Sequence, residues 1–168
     1  MKTLEFINLE ACDEAADWAS GKTWEEVYST CHRGDWLLWL FKRTNPKNFS
    51  ELTLAKGHCA NTVRHLMKDE RSIAAVDAAI AFGDGKITKE ELDAAAADAA
   101  FYAAYAYASA ADYAAYAAYA AADATAYAAD YAAAATAAAY ADAKKENQQQ
   151  TADICRKYLP IEIWNIKN

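Results

Sequence analysis

The chain has 168 residues and a net charge of −7, with five tryptophans, eleven tyrosines and five phenylalanines. That length makes one ordinary domain, and the large rings available for packing between helices exclude a disordered chain. The charge is −3 over residues 1–92, −6 over 93–143 and +2 over 144–168, a balance that argues against general nucleic-acid binding.

The opening MKTLEFINLEACDEAADW lacks the apolar run and small-residue cleavage site of a secretory signal, so the cytoplasm is the expected location. A first helix is expected over Leu9–Ala19, where Leu9, Cys12, Ala15, Ala16 and Ala19 recur at three and four, with Gly21 as its stop. Thr23 followed by Glu26 is a capping box, which starts a second helix running to about Cys31. Gly34 is expected to close that helix and Asp35 to cap the next, WLLWLFKRT from Trp36, whose start is apolar all round and must be buried. Asn45, Pro46 and Asn48 mark a loop.

From Ser50 the residues Leu52, Ala55, Cys59, Val63 and Leu66 form one helical face, and His58, Asn61, Thr62, His65 and Lys68 an adjacent one. A shorter helix is expected from about Ser72 to Phe82, ending at Gly83-Asp84-Gly85. The letters FGDGKITKEEL imitate the second half of a calcium loop, but Ile80 and Phe82 stand where the first oxygen ligands belong, so the segment reads as a turn and a second capping box, Thr88 with Glu91. Residues 94–143 then contain no glycine, proline, lysine or arginine and are helical by propensity. Asp98, Asp112, Asp123 and Asp130 share an arc, with Tyr102, Tyr105, Tyr113, Tyr116, Tyr127 and Tyr131 beside them. As one rod the tract would span about 75 Å, far beyond a domain of radius about 15 Å, which favours breaks near Ser109–Asp112 and Asp123–Thr125; the shared aspartate register favours a single helix. The recurring aspartates exclude a membrane span. Pro160 ends the last helix, leaving an extended tail.

The expected architecture is an all-α, compact multi-helix bundle with a long alanine- and tyrosine-rich helical region in its C-terminal half. It forms a single domain, with mixed helices and the aromatic core in 1–92, alanine-rich helices in 93–159 and a short tail in 160–168. Cys12, Cys31, Cys59 and Cys155 read as reduced thiols, mostly buried, and Cys31, His32, His58 and Cys59 lack structural-zinc spacing. No metal, cofactor or catalytic residue is expected; an enzymatic reading would leave His65 as its only general base. Arg33-Gly34-Asp35 spells an integrin-type tripeptide but reads more simply as a helix stop and cap. Thr125 and Thr136, eleven apart, resemble the spacing of ice-binding alanine helices, against simple packing of the alanine face.

The basic island is 42–68, where Lys42, Arg43, Lys47, Lys56, Arg64 and Lys68 face Glu51 alone. Its Lys56, His58, Asn61, Arg64, His65 and Lys68 can hold phosphate or carboxylate oxygens by charge-assisted hydrogen bonds, or they can be a solvated face whose cations pair with the acidic tract.

In their order, CHRGDWLLWL, LAKGHCANTVRHLMKDERS, the alanine tract and QQQTADICRKYLP resemble the alanine-rich helical immunity-five-like proteins of bacteria and their phages. The resemblance covers nearly the whole chain and rests on the tryptophan and cysteine segments. It implies a small cytosolic protein that acts by binding in a conflict between bacterium and phage, and it carries no catalytic residues over. If the target is a toxin or effector protein, the expected interface is Tyr102, Tyr105, Tyr113, Tyr116, Asp112 and Asp123. If it is an anionic nucleotide signal, the basic island is the expected site, completed by Arg33, by Trp36 or Trp39 and by a second subunit in a homo-oligomer.

Overall fold

A computed structural model of the chain describes residues 10–67, 69–105 and 137–164, the stretches 100–105 and 137–142 by their backbone alone. Among these residues the regular structure is entirely helical: α1 (Asp13–Ala19), α2 (Trp24–Thr30), α3 (Gly34–Thr44), α4 (Phe49–Asn61), α5 (Glu70–Gly83), α6 (Lys89–Tyr105) and α7 (Ala137–Tyr158), with 3-10 turns at Arg64–Leu66 and Ile161–Ile163. The fold is all-α, as expected. No helix among the described residues is long and apolar enough to cross a membrane.

Both capping boxes form. The Thr23 amide donates to Glu26 Oε2 at 2.7 Å and the Glu26 amide to Thr23 Oγ1 at 3.3 Å; Thr88 and Glu91 repeat the exchange at 2.8 and 3.2 Å. The calcium-like letters between α5 and α6 fold as a turn, with Gly85 at φ +71° and Asp84 paired to Lys86 at 2.7 Å. The expected tract breaks at Ser109–Asp112 and Asp123–Thr125, and Thr125 and Thr136, lie outside the described residues.

Helix α4 is the hub: it packs against α3, α5 and α7, and α5 packs in turn on α6. Three glycines permit the closest approaches; the tightest is Gly83 of α5, where a Cβ would run into Leu54 of α4. A Cβ on Gly34 would lie 2.5 Å from Thr151 Oγ1 of α7, and one on Gly57 would lie 2.8 Å from Ile80 of α5, so the backbones meet where any side chain would hold them apart. The main core joins Trp24, Val27, Leu37, Leu40, Phe41, Leu52 and Cys59 of α2–α4 and the loops beside them to Ala152, Cys155, Leu159 and Trp164 near the chain's far end. Ala75 with Ala99, and Ala79 with Leu92, seal α5 to α6.

Four boundaries differ from the sequence reading. Helix α1 begins at Asp13 rather than Leu9, because Cys12 is extended and occupies the N-cap position. Gly34 is the first residue of α3 rather than the stop of α2, with its Cα seated against Thr151, and Arg33 rather than Asp35 holds the N-cap position, the Asp35 carboxylate being taken up by Arg33. Helix α4 ends at Asn61: Thr62 Oγ1 turns back to donate to the Cys59 carbonyl at 2.7 Å and accepts from Asn147 Nδ2 at 2.8 Å, and a 3-10 turn follows. Its tighter winding rotates Leu66 out of the apolar face, leaving it 48% exposed. The tail after Pro160 is a 3-10 turn rather than extended, held by Asn45 Nδ2 donating to the Ile163 carbonyl at 2.6 Å.

Gly34→Ala and Gly57→Ala should each cost roughly 1 to 3 kcal/mol through overpacking. Urea denaturation should show a lower midpoint at unchanged slope. An unchanged midpoint would mean that the helices separate without penalty.

Candidate functional site

The basic island does not assemble as one surface. Lys56 is buried, at 4% exposure, within the packed faces of α4 rather than on its outer side. Two residues later, His58 lies flat on Tyr158 of α7, with ring centroids 4.1 Å apart and planes 7° from parallel. Arg64, on the 3-10 turn, faces α5 instead and makes a two-pronged ion pair with Asp77, whose Oδ2 accepts from Nη2 at 2.8 Å. Asn61 and His65 are exposed, and Lys68 lies outside the described residues. The early end of α4 accounts for the split, since it swings residues 64–66 off the register that would have aligned them with His58. Two of the island's cations pair with other described residues: Arg64 takes Asp77, and Arg43 takes Glu10 at 3.1 Å.

Electrostatics follow the geometry. Burial, and then the nearby Lys157 ammonium, hold the His58 imidazole below its ordinary value, with Asp84 opposing weakly. A neutral imidazole stacked on a phenol is no anion clamp. Hydrogen bonding from Arg64 holds Asp77 below the usual carboxylate range, and Asp77 in turn raises Arg64. Burial pushes the Cys31 thiol up to about 11 and raises Cys155 as well, which fits neutral core thiols. Cys31, Cys59 and Cys155 are buried, Cys12 is exposed, and all four are free.

The sequence reading placed Trp36 and Trp39 beside the island; the structure places them on the other side of α3, facing α1. Trp36 and Trp18 meet at 5.8 Å between ring centroids, and His32 lies 6.3 Å from each. Each of three half-buried indoles carries a cation. Lys22 stands 4.3 Å from Trp18, Arg33 4.7 Å from Trp36 and Arg43 5.8 Å from Trp39. A small apolar cleft of about 20 Å³ opens between the three rings. Arg33 is also paired with Asp35, at 2.8 Å through Nε, so the Arg-Gly-Asp tripeptide is closed on itself. Trp18, Lys22 and His32 were missed by sequence reasoning; the one available signal was the spacing of four between Trp18 and Lys22.

A second, open groove of about 580 Å³ lies beside His32, against Lys145, Glu146, Gln149, Gln150 and Asp153 of α7. Tyr102 and Tyr105 lie on the last turn of α6, where the backbone alone is described, and Asp112, Tyr113, Tyr116 and Asp123 lie outside the described residues.

The His58 shift predicts a pH dependence with a definite sign. A folded-state value below the ordinary 6.5 means that the unfolded chain binds the proton more readily, so stability present above 6.5 is lost as pH falls toward the folded value. The melting temperature should decline between about pH 7 and pH 5, and His58→Gln should flatten that part of the profile. Asp77 contributes its loss only below its ordinary 3.8, well separated from this window. A wild-type profile flat to pH 5 would contradict the assignment. Comparison with protein-family models, curated proteins and solved structures finds no match to this chain, so a functional reading starts from these residues.

Proposed function

We propose that this chain is a non-enzymatic binding protein of a bacterial or phage conflict system, an immunity-type inhibitor that neutralises a toxin or effector protein in the cytoplasm. One observation supports a protein partner over a small anion: three of the groups expected to hold the anion, Lys56, His58 and Arg64, are engaged within the fold, although His65 is exposed. Arg64 is held by Asp77, Lys56 is buried, and His58 is neutral and stacked on Tyr158. An anion entering there would have to break a two-pronged ion pair before gaining a contact. Surface area is the other resource of this chain, and tyrosine and tryptophan are the residues that convert area into affinity at low entropic cost. The resemblance to immunity-five-like proteins points the same way.

The rival reading, sequestration of a nucleotide-derived signal by the basic island, is tested by calorimetric titration of the wild type with cyclic dinucleotides and ADP-ribose-type ligands. No heat is expected from any of them. Arg64→Ala should be nearly silent in function and should cost at most about 1 kcal/mol in stability, as exposed ion pairs do. Tight nucleotide binding that disappears with Arg64→Ala would overturn the protein-partner reading.

A further inference from the structure

The half-buried tryptophans of α1 and α3 form a surface where aromatic area, an apolar cleft and exposed carboxylates coincide. Residues 10–43, which span this face, hold seven carboxylates against four cations. Their arrangement sharpens that imbalance. The Arg33 side chain lies down on the rings and is only 18% exposed, whereas Glu14 and Glu10 stand out at 72% and 79%. Arg33 is thus turned inward while Glu10 and Glu14 stand outward, and Arg43, 47% exposed at the edge of the face, is held by Glu10, so the face presents an excess of exposed carboxylate beside the indoles.

The same face displays, twice, the chemistry that it would offer. Arg33 stacks on Trp36 at 4.7 Å while reaching Glu14 at 3.6 Å. Arg43 stands over Trp39 at 5.8 Å while reaching Glu10 at 3.1 Å. In each case one guanidinium is shared between an indole face and an exposed carboxylate. That double contact suits arginine better than lysine, because the planar guanidinium stacks and forks at once.

Building on the protein-partner reading, we infer that the α1–α3 face is a docking surface for an arginine-rich protein partner, whose guanidinium groups add to the Trp18–Trp36–Trp39 surface and pair with Glu10, Glu14 and Asp17. The partner is thereby a basic protein segment, recognised by ring stacking as well as by charge. Charge alone would direct it equally to the acidic alanine tract; the tryptophans direct it here.

The test uses the full chain and a nona-arginine peptide, followed by calorimetry and by tryptophan emission at about 0.15 M ionic strength, where loose surface attraction is screened. The wild type should bind with quenching. Trp36→Leu and, separately, the exposed pair Glu14→Gln with Asp17→Asn should each weaken binding by roughly tenfold or more, as expected where a few residues carry an interface. Circular dichroism checks that both variants are folded, and the exposed pair keeps the test decisive if Trp36→Leu is not. Absence of binding to the wild type, or equal binding by all three proteins, overturns this surface. Either result leaves the wider protein-partner reading standing, since that reading falls only to tight nucleotide binding.

Discussion

The fold depends on a reciprocal clasp between residues 128 positions apart. Arg156 of α7 donates from Nε to the Tyr28 carbonyl at 2.9 Å and from Nη2 to the Cys31 carbonyl, while the Tyr28 hydroxyl donates back to the Arg156 and Leu159 carbonyls at 3.2 Å each. The guanidinium thus satisfies carbonyls that the end of α2 would otherwise leave without partners, at the negative end of that helix. Charge-assisted bonds of this kind contribute about 1.5 to 3 kcal/mol, and leaving buried carbonyls without a donor costs a similar amount. Around the clasp the aromatic core closes: Trp164 packs on Trp24 at 4.5 Å and on Phe41 at 4.8 Å, and its indole N–H donates to the Leu159 carbonyl.

A hub helix has few faces to spare, and this explains the fate of the basic island. Helix α4 meets α3, α5 and α7, so residues that look polar in one-dimensional order are drawn into its contacts. Lys56 is buried, His58 becomes half of a stack with α7, and Arg64 becomes the tie to α5. Helix α3 gives one side to the core, but its opposite side, carrying Trp36 and Trp39, faces α1, and there half-buried indoles remain within reach of a partner.

The parts of this structure legible in sequence are those fixed by local chemistry. Both capping boxes, the Gly85 turn and the apolar stripe of Leu52, Ala55 and Cys59 on α4 follow from residues within a few positions of one another. What was illegible is long-range. Gly34 reads as a helix stop until Thr151 is known to lie against it, and Thr62 reads as a helical residue until Asn147 is seen to donate to it. The error over the tryptophans has the same origin. Spacing along α3 puts Trp36 and Trp39 on a face, but which helix that face meets depends on the packing of α1, and no periodicity encodes it.

The 128-residue separation within the clasp also sets a schedule for synthesis. At translation rates of roughly 5 to 20 residues per second, Tyr28 emerges from the ribosome some 6 to 26 s before Arg156 can reach it. During that interval Val27, Leu37 and Phe41 lack the cover that Cys155, Leu159 and Trp164 later supply. The nascent chain therefore cannot finish its core in order of emergence. It must remain soluble, through its own acidic surface or through chaperones, until the distal helix is delivered.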